Sequence, residues 1–429
     1  MLTETNPPID LHADRQQLGC FVFISSCFEV WGGSEELLGI TAKYIKQQGH
    51  QVSVYKFQVA DHPRILELQA AGIEVTALNS LGCISIKHFM FDRIYHLVRL
   101  LQFLPLPANW YLIYSNPQRT FLLKALKRIK PAMVVISQGD NFDGLEYADI
   151  CIELDLPYVI ISQKASDSVW QHGKQRQMMQ TMYTQAKASF FVSQHNLSLT
   201  EAQIGYSLPN AEVVRNPHRA VISASLPYPK IENDRFKIAC VARLWILDKG
   251  QDILLRVLAQ DKWQNRHVHI SFFGAGVDRD ALIDMAKLLE LKNVSFPGFV
   301  ENIVDIWHHH HALIMPSRAE GLPIALVEAM MCGRVAIATD VGGVAEVVDN
   351  DITGFIATGV SFQEIDRVLE RAWQCRYEWE DMGKAASISI RKLVPRHPER
   401  VFADKLVQLC QAINLPEEVS GQNILIRTD

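Results

Sequence analysis

No two cysteines in this chain stand at C-x-x-C spacing. The eight thiols, at 20, 27, 83, 151, 240, 332, 375 and 410, are scattered over 429 residues, which fits neither a zinc site nor the dense framework of a small secreted domain. Reduced thiols in a cytosol are the expectation. Apolar runs long enough to cross a bilayer, about 20 residues, are also lacking. The nearest candidate, LVRLLQFLPLPANWYLIY, is broken by Arg99 and two prolines. The opening MLTETNPPIDLHADRQQLG has no basic stretch followed by an apolar one, so no secretory signal is expected. A strong excess of either charge is missing too: the formal net charge of −5 argues against a nucleic-acid partner.

That balance conceals an asymmetry. Residues 81–130 hold eight Lys/Arg against one acid, Asp92. A solvated helix face explains such a run; so does a basic surface for an anionic lipid leaflet or an acidic acceptor. The expected location is cytoplasmic, with peripheral contact to the inner face of a membrane as the second reading of this segment.

Hydrophobic residues make up 48% of the chain, enough to bury the cores of two domains. Short β-branched and aromatic runs alternate with helical patterns almost throughout, the mark of βαβ units around parallel sheets. Strands are predicted at 21–25, 52–57, 73–78, 133–137, 158–162 and 189–193, with helices such as 34–48 and 173–186 between them. The pattern breaks over 217–235, where prolines and the absence of a period read as a linker. A second series of strands is predicted at 237–242, 268–274, 293–298, 312–317 and 335–340. The inferred architecture is α/β, with two Rossmann-like doubly wound domains facing a central cleft: residues 1–216, then 236–398, then a helix over 399–413 that needs an apolar surface, and a tail.

Gly32 and Gly33 lie after the first strand and directly before a helix, where such sheets bind anions at the carboxyl ends of their strands. A tight turn with no ligand would use the same residues. FFGAG (272–276) opens the equivalent turn in the second domain, but Asp278 and Arg279 follow where a G-x-G-x-x-G fingerprint needs its third glycine. This argues against a nicotinamide cofactor.

The segment EGLPIALVE, 320–328, carries two glutamates eight positions apart. Glu320 and Gly321 are expected in a turn, Leu322 and Pro323 at the start of a helix, and Glu328 one to two turns along it, with Gly333 stopping the helix. Backbones roughly 8 to 10 Å apart are too distant to share a proton or one metal, but about the span from a hexose to a nucleotide ribose. A carboxylate suits a cis-diol because it accepts two hydrogen bonds. An anion between the two would need cations, and Arg243 with Lys249 follows the second domain's first strand. Taken alone they fit a solvated loop; with the glutamate pair they read as a diphosphate clamp.

Together GGSEELL, GHQVSVY, VVRNPH, VARLWILDKGQDIL, FFGAG, VSFPGFV, the E-x7-E stretch and GRVAIATDVGG resemble the retaining GT-B glycosyltransferases of family four, nearly end to end and in order. The resemblance implies transfer of a hexose from a nucleotide diphosphate sugar, such as a UDP-, GDP- or ADP-hexose, to a glycan, lipid-linked or small-molecule acceptor, with retention and with no metal or other cofactor. It implies that Arg243 and Lys249 bind the diphosphate, Glu328 the ribose, and Glu320 with the backbone of Gly321, Leu322 and Pro323 the hexose. Gly33 would approach from the opposite domain, and the backbone at Phe299 and Val300 is similar to the family's nucleobase pocket. One departure is plain: the family commonly has a histidine near the acceptor where this chain has Gln163, which cannot titrate. Asp140 and Asn141 could contact acceptor, or form a surface loop. The run His308 to His311 reads as a helix end rather than a metal site, and Glu346 as a residue that shapes its turn. An epimerase of the same architecture and a non-catalytic sugar-nucleotide binding protein are the rival readings.

Overall fold

The computed structural model describes residues 19–79, 117–220 and 224–414. Most of the basic 81–130 segment, Cys83, the apolar stretch near 97–114 and the tail lie outside them. The first sheet is built from β1 (Cys20–Ser25), β2 (Gln51–Lys56), β3 (Glu74–Ala77), β4 (Met133–Gln138), β5 (Tyr158–Ser162), β6 (Ala188–Phe191) and β7 (Ala211–Val213). Their order is β3-β2-β1-β4-β5-β6-β7, and every pairing is parallel. The second sheet comprises β8 (Phe236–Val241), β9 (Val268–Phe273), β10 (Val294–Gly298), β11 (Ala312–Met315), β12 (Val335–Thr339) and β13 (Gly354–Ala357). It runs β10-β9-β8-β11-β12-β13, again all parallel.

Both sheets are covered by helices on their two faces, which is why their strands read as continuous apolar runs: β1 and β4 are buried from Phe21 to Ser25 and from Met133 to Gln138. The strand order reverses between β1 and β4 and between β8 and β11. Such switch points open a crevice beyond the carboxyl ends of the strands. Two short strands escaped the sequence reading, β7 and β13, of three and four residues. Both lie at a sheet edge, where little apolar patterning is required.

The chain returns to its starting domain at the end. Helix Pro398–Asn414 buries Phe402, Ala403, Leu406, Val407 and Cys410 in one cluster with Phe21, Leu37, Leu38 and Ala42, the apolar surface expected for it. Thr41 Oγ1 donates to the Glu399 carbonyl at 3.4 Å, and Gln48 Nε2 to Asp404 Oδ1 at 2.9 Å. No described helix is long and apolar enough to cross a membrane.

Candidate active site

The EGLPIALVE segment folds as its chemistry dictates. Pro323 caps helix Ile324–Met331 rather than standing inside its first turn, Cys332 ends it, and Gly333 takes φ +77° beyond. Ahead of the helix, the loop 316–320 is fixed to the short helix Ile246–Lys249. Arg318 grips Asp252 with two bonds of 2.8 and 2.9 Å, and its backbone N–H donates to the Asp248 carbonyl at 2.6 Å. Gly250, at φ +63°, leaves room for the Pro316 carbonyl, which an added Cβ would meet at 2.0 Å. These ties set Lys249 and Glu320 in register: Lys249 Nζ donates to Glu320 Oε1 at 2.7 Å, and Ser317 Oγ donates to the same oxygen at 2.8 Å.

Arg243 follows β8 in a turn whose close approach requires glycine. Added Cβ atoms at Gly274 and Gly276 would lie 2.0 Å and 2.2 Å from the carbonyls of Ala242 and Leu244. FFGAG is thus explained by packing at the carboxyl edge. The Arg243 guanidinium reaches the first domain and donates to Glu29.

From that domain, helix Gly33–Gln47 points its amino end at the same place. A Cβ at Gly33 would sit 3.4 Å from Ile324 Cδ1, so the amino ends of two helices converge beside Arg243 and Lys249. Both ends carry partial positive charge and favour an anion. The glycine turn is anchored by Glu35, buried at 1% exposure: Oε1 accepts from Lys56 Nζ at 2.7 Å and Ser25 Oγ at 3.0 Å, Oε2 from the Gly32 N–H at 3.0 Å.

Glu328 is buried and accepts the Arg219 backbone N–H at 2.8 Å. Burial pushes its carboxyl up to about 7, opposed by Arg219 and reinforced by Glu36. The Arg219 side chain then donates to Glu36 Oε1 at 2.6 Å on the first domain. Reading 217–235 as a mere linker concealed Arg219; nothing in its local spacing marks it.

Other sequence-predicted residues divide. Gln163 is buried against the cleft, with its backbone carbonyl 2.0 Å from where a Gly321 Cβ would be. Asp140 faces Lys164 at 3.4 Å, and Lys164 also donates to Asp248 of the second domain at 2.9 Å. Asn141 requires correction. It is fully buried, and its amide donates to Thr200 Oγ1 and Gln203 Oε1 at 2.8 and 2.6 Å, a core contact rather than an acceptor contact. Phe299 is exposed beyond β10, and Val300 packs beneath the cluster containing Leu326 and Met330. Leu322 and Pro323 are buried at the helix start.

His310 and His311 are structural: His310 bonds the Ile306 carbonyl and Ser271 Oγ at 2.8 and 3.1 Å, and the Lys237 N–H donates to His311 Nδ1 at 2.9 Å. Burial lowers His310 to about 4. Among the described residues no group of three or more His, Cys, Asp or Glu is arranged for a metal. Glu346 does more than shape a turn, since it accepts from the His195 N–H at 3.0 Å and from Arg215 at 3.1 Å, both before the 217–235 segment.

Residues 226–388 match the family model described as glycosyl transferases group 1. This chain carries a domain of that family. Among relatives, a D-inositol 3-phosphate glycosyltransferase of Rhodococcus jostii is 29% identical over 35% of this chain and 34% of its own length. A phosphatidylinositol N-acetylglucosaminyltransferase gpi3 subunit of Schizosaccharomyces pombe is 32% identical over 34% and 31%. The matched stretches thus span about a third of these relatives' length. Solved structures extend the likeness to the whole fold. HepE of Anabaena in complex with UDP-glucose superimposes with a TM-score of 0.67, at 17% identity, over 91% of this chain and 99% of that one. Sucrose-phosphate synthase of Thermosynechococcus elongatus gives 0.66 at 13% identity, over 92% and 100%. The fold is GT-B.

Proposed function

We propose that the protein is a retaining glycosyltransferase that moves a hexose from a nucleotide diphosphate sugar to a hydroxyl acceptor. The observation that carries this reading is the Lys249–Glu320 pair, 2.7 Å long, at the carboxyl edge where two helix amino ends and Arg243 meet. Arg243, Lys249 and the helix ends hold the diphosphate. As the bond from the anomeric carbon to the phosphate oxygen breaks, they stabilise the charge on the leaving group. The acceptor oxygen forms its bond on the same face, and its proton passes to the departing phosphate oxygen. Glu320 orients the hexose, Glu328 the ribose, and the backbone at Phe299 and Val300 faces the base. The protein's part is positioning and exclusion of water rather than covalent chemistry.

UDP is the first nucleotide to test, because HepE is described in complex with UDP-glucose. A nucleotide that binds the native fold raises its melting temperature by mass action, so the full chain is melted with UDP, GDP and ADP. The donor of the best nucleotide, labelled in its hexose, is then incubated with a panel of sugar and lipid-linked acceptors. A nucleotide-free glycoside supports transfer; an isomerised nucleotide sugar supports an epimerase; binding without turnover supports a non-catalytic role.

A cytoplasmic enzyme working beside a membrane accords with helix Pro117–Ile129, which exposes Lys124, Lys127 and Arg128, with Lys130 directly after it. Binding to anionic vesicles that fades with salt is the expected result.

A further inference from the structure

The second sheet gathers positive charge at the end opposite the cleft. β8 and β9 pair with Lys237 beside His269, and one step earlier the Phe236 N–H donates to the His267 carbonyl at 2.9 Å, which sets Arg235 level with His267. Alternate residues of a strand share one face, so these four side chains belong to one face of two neighbouring strands. Lys230, Glu232, Asn233, Arg235, Lys237 and His267 line a pocket there of about 260 Å³. Its rim is fixed by the backbone. Glu232 and Arg235 bridge across a turn in which Asn233 and Asp234 take φ +51° and +53°, and His267 Nδ1 donates to the Asn233 carbonyl at 3.2 Å. Arg334 donates to the Pro227 carbonyl at 2.7 Å and so holds the chain that leads to Lys230.

The cations of this pocket lack counterions. Among the described residues, the side chains of Lys230, Arg235 and Lys237 make no ion pair and no hydrogen bond. Asp234, next to Arg235, is engaged elsewhere: it accepts from Tyr377 Oη at 2.6 Å and faces Arg376 at 3.9 Å. His269 adds no charge, because burial and then Arg235 and Lys237 lower its imidazole, and its Nε2 is bonded to Ser295 Oγ at 2.9 Å. Three permanent cations thus face one carboxylate, Glu232, an excess of two positive charges. Cations held together in this way repel one another, and an anion that fills the space between them relieves the repulsion.

We propose that this pocket is a second anion site, separate from the cleft, which takes the phosphate monoester of a small organic molecule. A monoester carries close to two negative charges at neutral pH, matching the excess, whereas a carboxylate carries one. The Arg235 fork engages two phosphate oxygens and the lysines act as point charges on the third. The volume is about nine times a water molecule's share of the liquid, room for a phosphate with a sugar-sized body and below the usual range for drug-sized ligands. Glu232 accepts hydroxyl groups of that body and repels a second phosphate. The six positions from Lys237 to Arg243 span about 20 Å of extended chain, so a ligand here does not reach the cations of the cleft. It does reach the segment that joins the domains: with Lys230 in that segment and Lys237 on β8, a bound phosphate ties the linker to the sheet.

The test is calorimetry on the full chain with glucose 6-phosphate, glycerol 3-phosphate and inorganic phosphate as probes, and with glucose and glucuronate as controls. At least one monoester binds at a single site, more tightly than inorganic phosphate; glucose does not bind, and glucuronate binds at least about tenfold more weakly. Arg235→Gln and Lys237→Gln each weaken monoester binding about 10- to 100-fold, while Arg243→Ala leaves it unchanged. Without ligand both glutamine variants melt at or above the parent, since the two side chains are exposed and a repulsion has been removed. Lys230→Gln, in the linker, gives the same loss of binding and keeps the test open if a strand variant misfolds. Binding that disappears in Arg243→Ala and survives in Arg235→Gln puts the phosphate in the cleft and overturns the proposal. So does equal affinity for glucuronate, or no binding of either monoester. Capture by anionic vesicles that Arg235→Gln abolishes, with no monoester bound, also overturns it and makes this face a lipid contact.

Discussion

The Arg243 guanidinium and the Glu29 carboxylate meet across the cleft, so the cation expected to hold a diphosphate already has an acid from the first domain as partner. A Cβ at Gly32 would stand 3.3 Å from Arg243 Nη2, which leaves the Glu29 loop tight around it. A donor phosphate must displace Glu29 or share Arg243 with it. The two side chains are 42% and 46% exposed, and pairs of that kind contribute at most about 1 kcal/mol. Glu29→Gln is therefore expected to tighten nucleotide diphosphate binding, by up to about fivefold. Arg243→Ala should weaken it and lower turnover with little change in melting temperature, whereas Lys249→Ala should do both and also lower the melting temperature, because buried Glu320 then keeps only Ser317 as a partner. Calorimetry with thermal melting checks all three; unaltered affinity in Glu29→Gln would show that no exchange occurs.

Glu328 gives the cleft a pH dependence whose sign follows from its burial. Its carboxyl is raised from an ordinary 4.5 to about 7, so between those values the native state holds a proton that the unfolded chain has released. Its contribution is fully present below about 4.5 and is lost as pH rises through about 7. The loss is on the order of 3 kcal/mol. Glu328→Gln should gain melting temperature over the parent as pH goes from 4.5 to 8, and curves that stay parallel would refute the raised value. The ionised form suits a diol, so nucleotide affinity should climb through pH 7 in the parent and stay flat in the variant.

The two parallel sheets were legible because buried strands in such folds are nearly all apolar and their helices are not. Eleven of the strands stand within about two residues of their expected places. β7 and β13 were not: runs of three and four residues at a sheet edge carry little period of their own. The same asymmetry holds at the cleft. Arg243, Lys249, Glu320 and Glu328 were legible because each sits at a fixed offset from a strand end or helix start. Glu29, Arg219 and Lys164 were not. Each acts across the gap between domains, and contacts of that kind leave no trace in local spacing. Asn141 failed for the opposite reason: it is adjacent to Asp140, but the turn after β4 sends it into the core.

Lys56 and Glu35 form a pair almost wholly removed from water, at 0% and 1% side-chain exposure. The Lys56 ammonium also lies 5.6 Å from the centre of the Trp31 ring. Removing one partner leaves an uncompensated buried charge, which costs about 3 to 5 kcal/mol. Glu35→Ala should accordingly melt far below the parent, and it also releases the Gly32 N–H that Glu35 holds. Replacing both residues by leucine should recover much of the stability without recovering turnover, because the glycine turn loses its anchor. Denaturant unfolding of the three proteins separates the effects; a double variant as unstable as Glu35→Ala would contradict the charge argument.

At Gly321 the backbone of the second domain stands directly against the backbone of the first. A Cβ there would lie 2.0 Å from the Gln163 carbonyl and 2.6 Å from Val192 Cγ2. The Gly343 N–H holds the Gly321 carbonyl at 2.6 Å, so the loop cannot retreat without losing that bond. Relief has to come from separating the domains. Gly321→Ala should therefore keep both domain cores folded while holding the cleft wider, which lowers turnover at least tenfold, about 1.4 kcal/mol in the barrier. The accompanying signs are a larger radius of gyration by small-angle scattering and a nearly normal affinity for bare nucleotide, since the cations that hold it stay on the second domain. Normal turnover with a normal radius would mean that the contact yields locally, and that the Gly321 loop does not set how far the cleft closes.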